Sequence, residues 1–189
     1  GIKVIGFDKS ERKVNKINSG ENYIKDIRDA ILRKVVENIT LQATTDFTRM
    51  NECDALIICV PTPLDKFKKP DMSYIEAACT DIGRYMKPGT FISLESTTYP
   101  TTTEDFMLPI IEENIKSNPY FNALVIPTTQ EEGSQEISTG QNFSPSGGMS
   151  GAFWLAYSPE RVDPGNITFH TRNTPKVLGA MTEDGLEIG

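Results

Sequence analysis

The sequence predicts an α/β fold: a Rossmann-like doubly wound parallel sheet. Three observations carry this. Short apolar strand patterns alternate with helical patterns, strand first, and alternation of that kind requires crossover connections and a parallel sheet. The run Ala55-Leu56-Ile57-Ile58-Cys59-Val60 is apolar throughout, as in a parallel strand covered on both faces. The opening strand pattern runs directly into an acid, Asp8, at the carboxyl end of a strand, where such sheets bind their ligands.

The elements follow in order. Ile2-Lys3-Val4-Ile5-Gly6-Phe7-Asp8 reads as a short buried strand. Ser10 is placed to cap a helix with Val14 and Ile17 on one face and Gly20 as its stop. A second helix is expected from Asp29 to Asn38, then a short strand from Leu41 to Thr44. After the Ala55–Val60 run, Asp71 or Ser73 opens a helix whose Ile75, Ala78, Cys79, Ile82 and Met86 recur at helical spacing. Pro88-Gly89 breaks it, and Phe91-Ile92-Ser93-Leu94 reads as a buried strand. Thr101 to Glu104 fits a capping box ahead of a helix carrying Phe106, Met107, Ile110 and Ile111. Residues 127–151 are rich in Thr, Gln, Glu, Ser and Gly with few apolar positions, the composition of a flexible insert. Phe153-Trp154-Leu155-Ala156-Tyr157 reads as a strand with Trp154 in the core, and Lys176-Val177-Leu178-Gly179 as one last short strand. The domain reading is therefore a partial nucleotide-binding domain over 1–175, with 176–189 leading onward.

The 189 residues suffice for one domain with a real core. A net charge of −7 gives no general basic face, which argues against nucleic acid as a partner but not against a nucleotide in one local pocket. The three cysteines, Cys53, Cys59 and Cys79, fit no zinc spacing, so no metal site is expected, and their usage suits a reducing, cytoplasmic setting. No stretch approaches the roughly 18 apolar residues of a membrane span. The chain opens at Gly1 inside a strand pattern, so a preceding segment is expected.

Three strand ends carry candidate chemistry. Asp8 is suited to accept from both ribose hydroxyls of NAD and to repel a 2′-phosphate; the blander reading is an acid favoured by a helix N-terminus. Val60-Pro61-Thr62-Pro63-Leu64 is a turn stiffened by two prolines, either a platform for a flat dinucleotide or a plain loop. Glu95-Ser96-Thr97-Thr98-Tyr99-Pro100 is a hydroxyl cluster in which Thr97 or Thr98 orients a water or a substrate hydroxyl, or else caps a helix. Farther on, Glu160 is the acid of the Ser158–Val162 turn, a general base or an ion-pair partner. His170, in a polar loop, reads as a surface residue.

Five motifs then occur in order: Val60-Pro61-Thr62-Pro63; Pro70-Asp71-Met72-Ser73-Tyr74; Lys87-Pro88-Gly89; Glu95-Ser96-Thr97-Thr98-Tyr99-Pro100; and Ser158-Pro159-Glu160-Arg161-Val162-Asp163-Pro164-Gly165-Asn166. The series resembles the UDP-glucose/GDP-mannose dehydrogenase family over nearly the whole chain, the 127–151 insert apart. The Pro-Glu-Arg-Val form is most similar to the branch acting on UDP-N-acetylhexosamines. The resemblance implies an enzyme that oxidises the sugar C6 alcohol to a carboxylate with two NAD and one water, and that assembles as a homodimer or larger homo-oligomer. It implies Asp8 and Lys13 at the adenosine side of NAD, and Val60, Pro61, Thr62 and Thr97 lining the cofactor. Thr97 would also help hold the catalytic water, Glu160 would stand at the reaction centre, and Glu160, Arg161 and Val162 would adjoin the sugar.

The departures are equally specific. The family's Gly-x-Gly-x-x-Gly loop, which cradles the pyrophosphate, would precede the Asp8 strand. The family's catalytic lysine, nucleophilic cysteine and partner aspartate would follow residue 189. None of the three cysteines present is suited to replace that nucleophile: Cys59 reads as buried in a strand, Cys79 as facing the core of a helix, and Cys53 precedes the strand. Thr101 stands where the family usually has glycine. The expectation is thus a fragment inactive alone, its parent an NAD-dependent UDP-sugar 6-dehydrogenase. Open strand edges beside the absent first strand are expected to invite association. The alternative is a degenerate nucleotide-binding module without catalysis.

Overall fold

The computed structural model describes residues 2–23, 27–64, 66–122, 153–159 and 173–189. The 127–151 insert, Glu160, Arg161, Val162 and His170 lie outside these. The chain divides into two compact units, Gly1–Arg49 and Met50–Gly189.

The first unit is built on two parallel strands. β1 (Val4–Phe7) pairs with β2 (Leu41–Thr44) in the register Val4 to Leu41 through Phe7 to Thr44. The crossover between them holds α1 (Glu11–Asn18) and α2 (Asp29–Glu37). Val14 is the buried residue of α1, and Asn18 bonds both ways with Ala43 of β2, donating to its carbonyl at 2.9 Å and accepting its N–H at 2.8 Å. That amide pair pins the last turn of α1 to the sheet. Gly20, at φ 71, turns the chain away beside Arg33; a side chain there would be strained in this left-handed backbone.

The second unit holds a four-stranded sheet ordered β3-β4-β5-β6. β3 (Ala55–Ile58), β4 (Thr90–Leu94) and β5 (Phe153–Tyr157) are parallel, and β6 (Gly179–Ala180) runs antiparallel to β5. Between β3 and β4 lies α3 (Ser73–Tyr85), which buries Ile75, Cys79 and Ile82 as the spacing predicts. After β4 come a π-type helical segment (Thr102–Met107), α4 (Leu108–Ile115) and the short α5 (Pro119–Asn122). β4 has a strand on each side, and all five of its residues are buried. The chain ends in α6 (Glu183–Ile188), where the Thr182 hydroxyl caps the helix by accepting the Gly185 N–H at 3.0 Å.

α3 and α4 pack through a glycine contact. A Cβ on Gly83 would stand 2.7 Å from the Ile111 carbonyl oxygen and 2.7 Å from the Asn114 Cβ. Just beyond α4, the fully buried Asn118 donates to the carbonyls of Gly83 and Met86 at 2.8 and 2.9 Å and accepts the Tyr120 N–H at 2.9 Å. It thereby satisfies carbonyls at the end of α3 that would otherwise lack partners.

Several expectations are corrected. β3 is shorter than the apolar run and is covered on one face only: Leu56 and Ile58 are buried, whereas Ala55 is exposed and Ile57 is 50% exposed. Among the described residues β3 is an edge strand, paired with β4 alone, so the uniform hydrophobicity overstated its burial. Cys59 lies one residue past the strand and is exposed, not buried. Ser10 makes no side-chain cap; the Asp8 carboxylate instead takes the Ser10 N–H at 2.8 Å. The same turn device recurs where Asp71 accepts the Ser73 N–H at 3.0 Å, because a short carboxylate reaches a backbone donor two residues on. The capping box at Thr101 does not form. Thr101 sits at φ 66, in the left-handed region, without a side-chain cap. Glycine suits that conformation best. Trp154 is only half-buried. The last strand falls at Gly179–Ala180, later than the Lys176–Gly179 reading, and α6 carried no strong apolar period to announce it.

Candidate functional site

The candidate site residues lie at strand carboxyl ends in both units. In the first unit, the backbone N–H of Asp8 extends the ladder by bonding the Thr44 carbonyl at 3.2 Å. Its carboxylate is divided between two partners: Oδ1 accepts from Ser10 N, and Oδ2 accepts from Lys13 Nζ at 2.9 Å. Partial burial opposes the charge on Asp8, but the Ser10 N–H and the Lys13 ammonium outweigh it and hold the carboxyl below its ordinary range. The Asp8 hydrogen bond in turn holds Lys13 above the ordinary lysine range. Asp8 is therefore an ionised, acceptor-only group with its side chain one-third exposed, and each oxygen keeps acceptor capacity for a hydroxyl donor. Lys13, one turn into α1, faces it because i and i+5 across the entry turn bring the long ammonium back to the strand end.

In the second unit, the ends of β3 and β4 are tied together beyond their ladder. The Glu95 N–H bonds the Ile58 carbonyl at 2.9 Å. One step on, the Ser96 hydroxyl accepts the Val60 N–H at 2.9 Å and donates to the Val60 carbonyl at 2.8 Å. One step further, the Thr62 hydroxyl donates to the Thr97 carbonyl at 2.7 Å. Ser96 is buried and Thr97 exposed. The Val60–Thr62 turn and Thr97 are thus held side by side.

Of the two threonine candidates, the structure separates one from the other. The Thr98 hydroxyl lies 2.8 Å from the Thr102 hydroxyl, which donates to the Tyr99 carbonyl at 2.7 Å. Thr98 therefore belongs to the wall of the turn. Thr97 presents its side chain outward, and its hydroxyl has no hydrogen-bond partner among the described residues.

β5 ends at the same end of the sheet. The Ser158 N–H bonds the Leu94 carbonyl at 3.0 Å, and Ser158 is buried. Glu160, Arg161 and Val162 follow, outside the described residues. Two participants escaped the sequence reading. In the sequence Ser96 is only one hydroxyl in a cluster; its β-strand phase, two residues past the buried Leu94, is the available signal. Glu95 pairs with Lys176 at 2.7 Å, a contact across 81 residues that no local pattern announces. Cys79, buried in α3, is pushed up to about 12, chiefly by burial and further by Glu76, and is inert as a nucleophile at neutral pH.

The chain is similar to known proteins over nearly its whole length. The chain is 29% identical over 186 residues to Protein CapL of Staphylococcus aureus, covering 98% of this chain and 36% of that one. It is 31% identical over 180 residues to the UDP-N-acetyl-D-mannosamine dehydrogenase of Escherichia coli K12, covering 95% of this chain and 36% of that one. Its fold superposes with a TM-score of 0.72 and 28% identity on the crystal structure of the NDP-N-acetyl-D-galactosaminuronic acid dehydrogenase of Methanosarcina mazei Go1, covering 98% of this chain and 34% of that one. The chain spans little more than a third of the length of the curated relatives it matches. No helix among the described residues is long and apolar enough to cross a membrane. All of residues 1–189 match the NAD binding domain of the UDP-glucose/GDP-mannose dehydrogenase family, and the chain belongs to that family.

Proposed function

We propose that this segment serves an NAD-dependent oxidoreductase that converts the C6 alcohol of a UDP-N-acetylhexosamine to the uronic acid. The observation that carries the reading is the match of the entire chain to the family's NAD binding domain. Relatives named for N-acetylated amino sugars, together with the Pro159-Glu160-Arg161-Val162 sequence, support the sugar class.

The residues present suit NAD. Asp8, ionised and acceptor-only, accepts hydrogen bonds from the two adenosine ribose hydroxyls and repels a 2′-phosphate, so NAD is favoured over its phosphorylated form. Lys13 holds that carboxylate in place and lends positive charge to the adenosine side. Val60, Pro61 and Thr62 form a wall whose backbone is already fixed. NAD, when bound, supplies the hydride acceptor. Thr97 offers a hydroxyl to orient the water that the second oxidation consumes. Glu160 holds a proton at that water or at the sugar oxygen, and Arg161 and Val162 adjoin the sugar.

On this reading residues 1–175 form the cofactor part and 176–189 lead toward the rest, the protein works in the cytoplasm, and copies associate as a homodimer or larger homo-oligomer. The 189 residues span little more than a third of the relatives' length, so the turnover is proposed of the longer protein and not of this segment alone. The test is NADH formation by the protein at the relatives' full length, with UDP-N-acetylglucosamine and UDP-N-acetylmannosamine. Two NADH per sugar oxidised are expected. No NADH from any UDP- or GDP-sugar would refute the proposal.

A further inference from the structure

We infer that Ser96 is a positioning residue: its side chain continues the β3–β4 ladder past the strands and, with Thr62, sets where Thr97 stands. This rests on the reading of Thr97 as the water-holding residue.

The backbone ladder between the parallel strands runs from Ala55–Phe91 to Ile58–Leu94, and its last rung is Glu95 N–H to the Ile58 carbonyl at 2.9 Å. Beyond it, Pro61 and Pro63 carry no N–H, so the Val60–Leu64 turn cannot keep a regular ladder of its own. The Ser96 hydroxyl substitutes for a neighbouring strand. It satisfies both backbone groups of Val60, one as acceptor at 2.9 Å and one as donor at 2.8 Å. A serine hydroxyl has one proton and two lone pairs, so a single oxygen serves both needs. Thr62 returns the favour at 2.7 Å to the carbonyl of Thr97.

The three linkages therefore follow one another along both segments, two residues at a time from Ile58 through Val60 to Thr62 and one at a time from Glu95 through Ser96 to Thr97. Ser96 is buried, so its two bonds are shielded from competing water. The consequence is mechanical. The proline-stiffened wall proposed to line the cofactor and the residue proposed to hold the water move as one body. Thr97 is held by its backbone carbonyl, which leaves its side chain clear for a ligand. Binding and the chemical step are then coupled through one hydroxyl that touches neither the dinucleotide nor the sugar.

The test uses four variants of the protein at the relatives' full length: Ser96→Ala, Ser96→Thr, Thr62→Val and Thr62→Ser. Thr62 is solvent-accessible, so its variants fold even if Ser96→Ala is destabilised. Ser96→Ala is expected to speed exchange of the Val60 amide hydrogen about tenfold. It is also expected to lower kcat about tenfold and raise the KM for NAD, with the KM for the sugar unchanged. Thr62→Val should lower kcat in the same direction, while Ser96→Thr and Thr62→Ser, which keep the hydroxyls, restore most of it. Unchanged Val60 exchange in Ser96→Ala overturns the inference, as does a loss of kcat that the hydroxyl-bearing variants fail to rescue. If the unmutated protein oxidises no UDP- or GDP-sugar, the functional reading falls. Val60 exchange then still decides whether the hydroxyl ladder holds the two segments together.

Discussion

Gly83 of α3 lies directly against Ile111 of α4, so close that a Cβ on Gly83 would stand 2.7 Å from the Ile111 carbonyl oxygen. Replacing a helical glycine by alanine ordinarily stabilises, since glycine costs a helix roughly 0.5–1 kcal/mol. Here the sign reverses. The neighbour is rigid helix backbone, and Asn114, also 2.7 Å away, is held by bonds to Arg84 and to the Ile110 carbonyl. Gly83→Ala should therefore destabilise the second unit by about 1–3 kcal/mol, as overpacking does. Denaturant unfolding followed by circular dichroism checks this. A variant as stable as the original, or more so, would contradict the α3–α4 contact.

The Asp8–Lys13 pair defines a pH window for the first unit. Asp8 titrates below its ordinary value, so its contribution is complete above about 3.9, the unfolded-state value, and is lost as pH falls through the lower folded-state value. Lys13 titrates above its ordinary value, so its contribution is complete below about 10.4 and is lost as pH rises through the higher folded-state value. Asp8→Asn should flatten the acid limb of the stability profile without moving the neutral plateau greatly, because the pair is partly exposed. Carboxyl-carbon NMR gives the direct check: a titration midpoint for Asp8 at or above the unfolded-state value would refute the assignment.

Cys59 and Cys79 should separate cleanly by reactivity. Cys59 is exposed beyond β3, whereas Cys79 is buried in α3 and held up to about 12 by burial. Iodoacetamide at mildly alkaline pH is expected to alkylate Cys59 in the folded protein and Cys79 only once the chain unfolds, since the thiolate is the reactive species. Mass-spectrometric mapping of the labelled peptides reads the outcome. Labelling of Cys79 at a rate comparable with Cys59 under folding conditions would show that α3 opens far more readily than its packing allows.

The order of elements was legible in the chain. The strands at Leu41–Thr44 and Phe153–Tyr157 and the core positions Ile75, Cys79 and Ile82 follow from periodicity, because burial of one face imposes a period that survives in the residue pattern. So were the strand-end candidates Asp8, Val60–Thr62 and Thr97, since a parallel sheet exposes its carboxyl ends and those ends carry the polar residues. What misled was local capping chemistry. Ser10 and Thr101 have the residue types of caps, yet a neighbouring carboxylate takes the Ser10 N–H, and a left-handed backbone turns Thr101 away from its helix.

The sequence by itself determined the fold class, the succession of strands and helices, and the family, because each rests on patterns within a few residues or on motifs in fixed order. Only the tertiary structure decided which apolar run is half-exposed, that Asn118 closes the end of α3, that Glu95 meets Lys176, and that one serine hydroxyl ties Val60 to the end of β4. Those are contacts between residues some 30 to 80 positions apart. A chain's local preferences carry no record of such partners; they are selected when strands register and helices pack, and that is where Thr97 acquires its position.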